Sequence, residues 1–154
     1  MSIAADGRSI NYDPGTTFQN LNAGQNATVQ IKYAIRDPQG ATSSFATATI
    51  TVAGINDKPV AANLARTTEA GTPIGATLSA TDVDSANLSY SVVLGSGPQH
   101  GTLSGIAPNL TYTPTAGYVG SDSFSYKASD GSLSSDPATV SITVVGVGAN
   151  RAPV

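Results

Sequence analysis

The residues of this 154-residue chain that could do chemistry are mainly acids and asparagines in loops between short β-branched runs. A strand of about eight residues carries the chain roughly 25 Å, so acids at its two ends lie at opposite ends of a β-sandwich. We therefore predict that one group gathers where the chain enters its second half: Asn56, Asp57, Asp82, Asp84 and Asp130. A weaker group is predicted at the opposite end: Glu69, Asp122 and Asn150.

Such an acidic group favours binding of a divalent cation. At about 5 Å and an effective dielectric constant near 20, each pair of carboxylates costs about 3 kcal/mol. Ca²⁺ removes that cost, because it accepts six to eight oxygen ligands in irregular geometry. Zinc has little to bind, since the chain has no Cys and one His. In the Asp82-Val83-Asp84 segment we expect Val83 to turn inward while both acids face the metal. The alternative that these acids simply cap turns stays open.

The two ends of the second half differ in charge. The segment "GINDKPV" begins at Gly54, and a related segment, "GANRAPV", begins at Gly148. Arg151 takes the place of Asp57 in the second segment, which puts a positive charge where a ligand would belong. We expect a metal-clamped joint at the first segment and a looser joint at the second.

Composition excludes several classes of partner. Only 11% of residues are charged and the net charge is −3, so no basic surface suits nucleic acid. No run of about 18 apolar residues is present, so no membrane insertion is expected. The absence of Cys rules out disulfides. The start, "MSIAADG", lacks the features of a signal peptide, and we expect that the chain was cut from a longer protein.

Short alternating runs rich in β-branched residues predict an all-β chain. They are Thr47–Val52, Leu88–Val93, Asn109–Pro114, Ser123–Ala128 and Ala138–Val145. The segment "IKYAIRDPQG" matches "FSYKASDGSL", and "ATATITVAGINDKPV" matches "ATVSITVVGVGANRAPV", which indicates two copies of one unit. We predict the C-terminal half of one repeat at 1–57, a complete immunoglobulin-like antiparallel β-sandwich at 58–147, and the start of a linker at 148–154.

The motifs "NDKPV", "EAGTPIGATLSATDVDSANLSYSV", "PQHGTL" and "YTPTAGYVGSDSFSYKASDGSLSS" resemble the cadherin-like repeats of large bacterial secreted (RTX-type) surface adhesins. The first copy is similar to the C-terminal half of a VCBS-type repeat. The resemblance implies tandem Ig-like domains with Ca²⁺ at their junctions, and a stalk that serves adhesion or biofilm attachment at the bacterial surface. The partners it implies are neighbouring repeats, a homodimer formed by strand exchange through the incomplete first copy, or a glycan or protein on another surface.

Other functions have less support in the sequence. Catalysis would need His100, and "PQHGTL" is more typical of a tight turn in which Gly101 supplies the bend, so we predict no enzyme. Self-cleavage at an Asp-Pro bond, or an amide bond from Lys32 or Lys127, has only generic residue types behind it. The main alternative is a carbohydrate-binding Ig-like domain. Tyr118 is the Tyr expected on a loop, while Tyr90, Tyr112 and Tyr126 alternate with polar residues as core rings do.

Overall fold

The computed structural model describes residues 10–148 in full and the backbone of Ser2–Ile3. All regular structure in the described part is β, which confirms the predicted class. The chain divides into two compact units, Met1–Asn56 and Asp57–Val154. Within the described residues, no helix is long and apolar enough to cross a membrane.

The first unit contains two antiparallel strand pairs among its described residues. The strands are β1 (Ser2–Ile3), β2 (Ile10–Asn11), β3 (Asn26–Tyr33) and β4 (Ala46–Ala53), paired β1 with β2 and β3 with β4. The longer hairpin aligns Val29 with Ile50. Apolar and polar residues alternate along both strands, as expected for a sheet with one face toward a core. Of the hairpin's apolar side chains only Ile31 is buried.

The described part of the second unit has nine strands. They are β5 (Val60–Ala61), β6 (Leu64–Glu69), β7 (Ile74–Thr77), β8 (Ala80–Thr81), β9 (Ser89–Val92), β10 (Gly101–Ile106), β11 (Asn109–Pro114), β12 (Gly120–Ser129) and β13 (Ala138–Val145). One sheet has the order β6-β13-β12-β9, a second has the order β10-β11-β7, and β5 pairs with β8. All pairs are antiparallel except β6 with β13. The arrangement is an Ig-like, cadherin-like sandwich.

The core of the second unit comes from the inward residues of these strands. Its largest fully buried side chains include Tyr112, Phe124, Tyr126, Val140 and Ile142. The period-two burial of β12 and β13 explains the alternation seen in the sequence, because every second side chain faces the other sheet. The predicted core positions of Tyr112 and Tyr126 are confirmed, and Tyr90 packs half-buried against the same core.

Gly101 has a different role from the expected one. It opens β10 instead of supplying a bend, and it does not have a positive φ angle. A Cβ atom at this position would contact the Tyr112 ring and lie 2.7 Å from the carbonyl oxygen of Thr113. Glycine is needed here because the buried Tyr112 ring lies directly against the backbone.

Candidate functional site

The loop that follows β8 holds the Asp82-Val83-Asp84 segment in a tight turn. Asp82 Oδ1 accepts hydrogen bonds from the backbone N–H groups of Asp84 and Ser85, each at 3.0 Å. These bonds curl the backbone around the Asp82 carboxylate and leave the middle residue outside, so Val83 is 57% exposed. The expectation that Val83 turns inward was wrong, because turn formation by Asp82 determines the direction of the loop.

The carboxyl groups of Asp82 and Asp84 contact each other. Burial alone would raise the pKa of Asp82, but hydrogen bonds from the Asp84 side chain and from two backbone N–H groups outweigh it and lower the pKa. The same side-chain contact, followed by desolvation, raises the pKa of Asp84. Asp82 Oδ2 is buried and accepts no hydrogen bond from an N–H group of the described residues. Two ionised carboxylates in this position repel each other, so the geometry favours a proton or a cation between them.

Asp57 and Asp130 lie near this pair. The backbone N–H of Asp57 donates to Asp84 Oδ2 at 3.2 Å, which ties the segment entering the second unit to the loop. Asp130 follows the last residue of β12, and its charge acts to raise the pKa of Asp82. Asp130 Oδ1 also accepts hydrogen bonds from Ser132 N and Leu133 N at 2.6 and 2.7 Å. The Asp130 carboxylate therefore both shapes its own turn and contributes negative charge to the Asp82 loop.

The structure assembles less of the predicted group than the sequence suggested. Among residues 10–148, no three His, Cys, Asp or Glu side chains are arranged as a ready metal-binding group. Asp82 and Asp84 form the contact, and Asp57 and Asp130 lie around it. Asn56 is the last residue of the first unit, so its part in the group stays a prediction.

At the other end of the sandwich, the Asp122 carboxylate is fully engaged in hydrogen bonds within the protein. Its Oδ1 accepts hydrogen bonds from Gln99 N and Ser123 N, each at 2.9 Å. Its Oδ2 accepts them from His100 N at 2.9 Å and from the Tyr112 hydroxyl at 2.8 Å. Burial would raise the pKa of Asp122, but these four donors outweigh it and lower the pKa. Burial, together with the Asp122 contact, raises the pKa of Tyr112.

Glu69 does not join Asp122 in a second site. Glu69 pairs with Val145 and Asp122 pairs with Ile142, and these two β13 residues lie on opposite faces of the sheet. Asp122 therefore points into the sandwich, whereas Glu69 lies on the outer face. The expected exit-end group is corrected on this ground. Successive side chains of a strand point to opposite faces of the sheet, so Glu69 and Asp122 are on different faces. Asn150, its third member, and Arg151 lie outside the described residues.

Two contacts were missed by sequence reasoning. Lys58 Nζ lies 2.6 Å from Asp136 Oδ2, and this hydrogen bond with the attraction to Lys58 lowers the pKa of Asp136. Both side chains are exposed, so the pair adds little stability. The rings of His100 and Tyr118 stack with centroids 4.1 Å apart and planes 7° from parallel. Neither pair is visible in the sequence, because each joins loops that only the fold brings together.

Comparison with solved structures identifies similar folds at low identity. The extracellular cadherin domains 1–5 of protocadherin gamma B2 are 20% identical, with a TM-score of 0.50 over 83% of this chain and 27% of that chain. Domains EC21–23 of human CDH23 are 20% identical, with a TM-score of 0.49 over 77% of this chain and 44% of that chain. An endo-fucoidan hydrolase from glycoside hydrolase family 107 is 21% identical, with a TM-score of 0.46 over 85% of this chain and 21% of the hydrolase.

This chain thus spans less than half the length of each of these structures. At these identities the likeness concerns the fold. A search of curated protein sequences gave no match. The family model described as "Bacterial Ig domain" matches residues 56–143, which is more than half of the chain and covers both the Asp82 loop and Asp122. The chain belongs to the Bacterial Ig domain family.

Proposed function

We propose that this chain is a spacer segment of a bacterial surface or secreted adhesin, and that its complete Ig-like domain is stiffened by calcium at the Asp82–Asp84 loop. One observation carries the proposal: the Asp82 and Asp84 carboxyl groups touch, and the buried Asp82 Oδ2 accepts no hydrogen bond from an N–H group of the described residues. A buried carboxylate oxygen without a donor is costly, and a bound cation removes that cost.

The residues present fit a hard cation. Asp82 and Asp84 would supply the central carboxylate oxygens, and Asp57 and Asp130 are the further carboxylates at this end of the domain. All of these are oxygen ligands, which suit Ca²⁺, and the described residues offer no thiolate that would favour zinc. Bound calcium supplies positive charge that neutralises the acidic pair. Because fewer than three acids are pre-arranged, we expect water to complete the coordination and the affinity to be modest, in the ~10⁻⁴–10⁻³ M range of extracellular modules.

Binding at this place has a mechanical consequence. The Asp57 N–H already connects the segment entering the domain to Asp84. A cation held by the same loop strengthens that connection, so the entering segment bends less about the domain. Extracellular calcium would in this way set the stiffness of a stalk built from such repeats. A spacer role in adhesion or biofilm attachment agrees with a family whose members are Ig-like domains.

The exposed apolar face of the first unit indicates which partners the chain binds. The hairpin of β3 and β4 carries one apolar face, yet Tyr33 at the end of β3 is 41% exposed, and Ile35 in the connecting segment beyond it is 68% exposed. A two-stranded hairpin is marginally stable in water, so this face needs another β-element against it. We propose that neighbouring repeats supply it in the parent protein, and that a second copy supplies it by strand exchange when the chain is isolated.

Calorimetric titration of the full chain with calcium tests the proposal. The expected result is saturable binding that disappears in Asp82→Asn combined with Asp84→Asn. Asp136→Asn is the matched control, because it removes one exposed carboxylate whose partner is Lys58. If the double variant binds calcium like the wild type, the site lies elsewhere and the proposed role of the loop is wrong.

A further inference from the structure

A polar groove lies on the outer face of the four-stranded sheet, far from the Asp82 loop. It has a volume of about 460 Å³. Its side chains come from β12, β13 and the segment before β10: Gln99, His100, Ser121, Ser123, Ser141 and Thr143. Asp122 and Ile142 complete the lining, but both are buried and point into the core. Asp122 and Asp130 lie near opposite ends of β12, so the groove and the proposed calcium loop are separate places.

Four hydroxyl groups form the floor of the groove. Ser121 pairs with Thr143 and Ser123 pairs with Ser141 across β12 and β13. All four residues are exposed, and none of their hydroxyl groups bonds to another described residue. Cross-strand neighbours lie about 5 Å apart and same-face neighbours about 7 Å apart, so the hydroxyls form a compact set of donors and acceptors on a rigid sheet. Their hydrogen-bonding capacity is available to a ligand.

A fixed aromatic pair borders this floor. His100 is exposed and stacks on Tyr118, whose hydroxyl donates to the Ser121 carbonyl oxygen at 2.6 Å. The backbone N–H of His100 is held by Asp122. At Gly120, a Cβ atom would lie 2.7 Å from Tyr118 Oη, so glycine permits the Tyr118 position. One face of the Tyr118 ring therefore packs against His100, and the exposed imidazole of His100 is the flat surface that a ligand can contact.

We infer that this groove binds a neutral polysaccharide. Hydroxyl, amide and imidazole groups are the polar side chains that line it, and the carboxylate of Asp122 is engaged by four internal donors. Among the described residues, no Lys or Arg lines the groove, so sulfated or uronic chains find no counter-charge on this part of the surface. A sugar ring has both features that the groove matches: hydroxyl groups around its edge and an apolar C–H face that packs on a planar ring. The inference is independent of calcium binding.

Nuclear magnetic resonance of the full chain tests this inference, with chelator present so that calcium plays no part. Neutral dextran and galactomannan are the probes, and alginate and dextran sulfate are the charged comparisons. We expect at least one neutral polysaccharide to shift the backbone N–H signals of Ser121, Ser123, Ser141 and Thr143. Loss of aromatic stacking in His100→Ala should weaken that binding about three- to tenfold.

Thr143→Val gives a second, nearly isosteric variant that removes one hydroxyl from the groove. Thr139→Val is its matched control, because Thr139 lies on the same face of β13 outside the groove. The inference predicts weaker binding for Thr143→Val and binding within twofold of wild type for Thr139→Val. It is overturned if both neutral probes leave the four signals unchanged, if the charged probes shift them equally, or if the two valine variants behave alike.

Discussion

Replacing Asp122 should destabilise the second unit more than any change among the proposed calcium ligands. The Asp122 carboxylate accepts three backbone N–H bonds and one from the Tyr112 hydroxyl, all at 2.8–2.9 Å. It is 8% exposed, and Tyr112 is fully buried. Each donor left unsatisfied in such a place costs about 1–3 kcal/mol. The Tyr112 hydroxyl can still donate to the His100 carbonyl oxygen at 3.2 Å, which limits its share.

The expected losses in the free energy of unfolding follow in order. Asp122→Ala leaves three backbone donors without their acceptor and should cost about 3–5 kcal/mol. Asp122→Asn keeps one carbonyl oxygen but turns an N–H₂ group toward donors, so about 2–3 kcal/mol is expected. Tyr112→Phe removes one donor, while His100 N still donates to the same carboxylate oxygen. The expected loss in the free energy of unfolding is about 1–2 kcal/mol. Urea unfolding at neutral pH measures these values, and the slope of the transition should stay unchanged.

The pH dependence of the free energy of unfolding distinguishes loss of the Asp122 charge from loss of packing. The four donors lower the pKa of Asp122 in the folded protein below its ordinary value near 3.9. Its stabilisation is therefore present above that value and is lost as pH falls through the folded-state pKa. The difference in the free energy of unfolding between wild type and Asp122→Asn should become smaller in acid. A cost below about 1 kcal/mol for both Asp122 variants at neutral pH would refute the reasoning, as would a calcium response that depends on Asp122.

Four further predictions address the loop, the core and the hairpin. With ~5 mM Ca²⁺ and a Kd of ~0.5 mM, binding adds about 1.4 kcal/mol and raises the Tm by roughly 6–11 °C; calorimetry should show this shift in wild type and none in Asp82→Asn with Asp84→Asn. Because the raised pKa of Asp84 means that protons compete for the pair, calcium affinity should fall as pH is lowered, and a pH-independent Kd would contradict this. Gly101→Ala should cost about 1–3 kcal/mol by urea unfolding, since the new methyl group overlaps the Tyr112 ring, and a neutral effect would mean that the ring can move. Light scattering should show a dimer that Tyr33→Asp weakens, and a monomer at all concentrations would contradict strand exchange.

The fold was predictable because the strands carry their burial pattern in the sequence. The runs Asn109–Pro114 and Ala138–Val145 coincide with β11 and β13, and their alternation gives the inward face. The segment before the Asp82 loop is divided between two strands, with β7 at Ile74–Thr77 and β8 beginning at Ala80. Period and composition show that a segment is extended, but where a strand changes partner depends on the other sheet.

The candidate site was predictable only in part, because sequence gives the end of the sandwich on which an acid lies but not the direction of its side chain. The contact between Asp82 and Asp84 follows from their spacing of two around a turn. The separation of Glu69 from Asp122 needs the pairing register of β6, β13 and β12. Asp122 illustrates the limit most clearly: its donors at Gln99 and His100 lie more than 20 positions away, so no local pattern could show that it is internally bonded.

The two related hairpins show what burial contributes beyond local sequence. In the first unit a bridge between Arg36 and Thr42 extends the β3–β4 hairpin, and in the second a bridge between Ser129 and Ser134 follows β12 at the matching position. Yet Tyr126 is fully buried, whereas Tyr33, its counterpart in the repeat, is 41% exposed. Because the second unit places β7 and β11 opposite its hairpin, Tyr126 gains a core and carbonyl partners at Ala62 and Ser79. The same extended segment therefore becomes a stable core strand only where a second sheet covers it. For this physical reason we expect the first hairpin to bind another β-element.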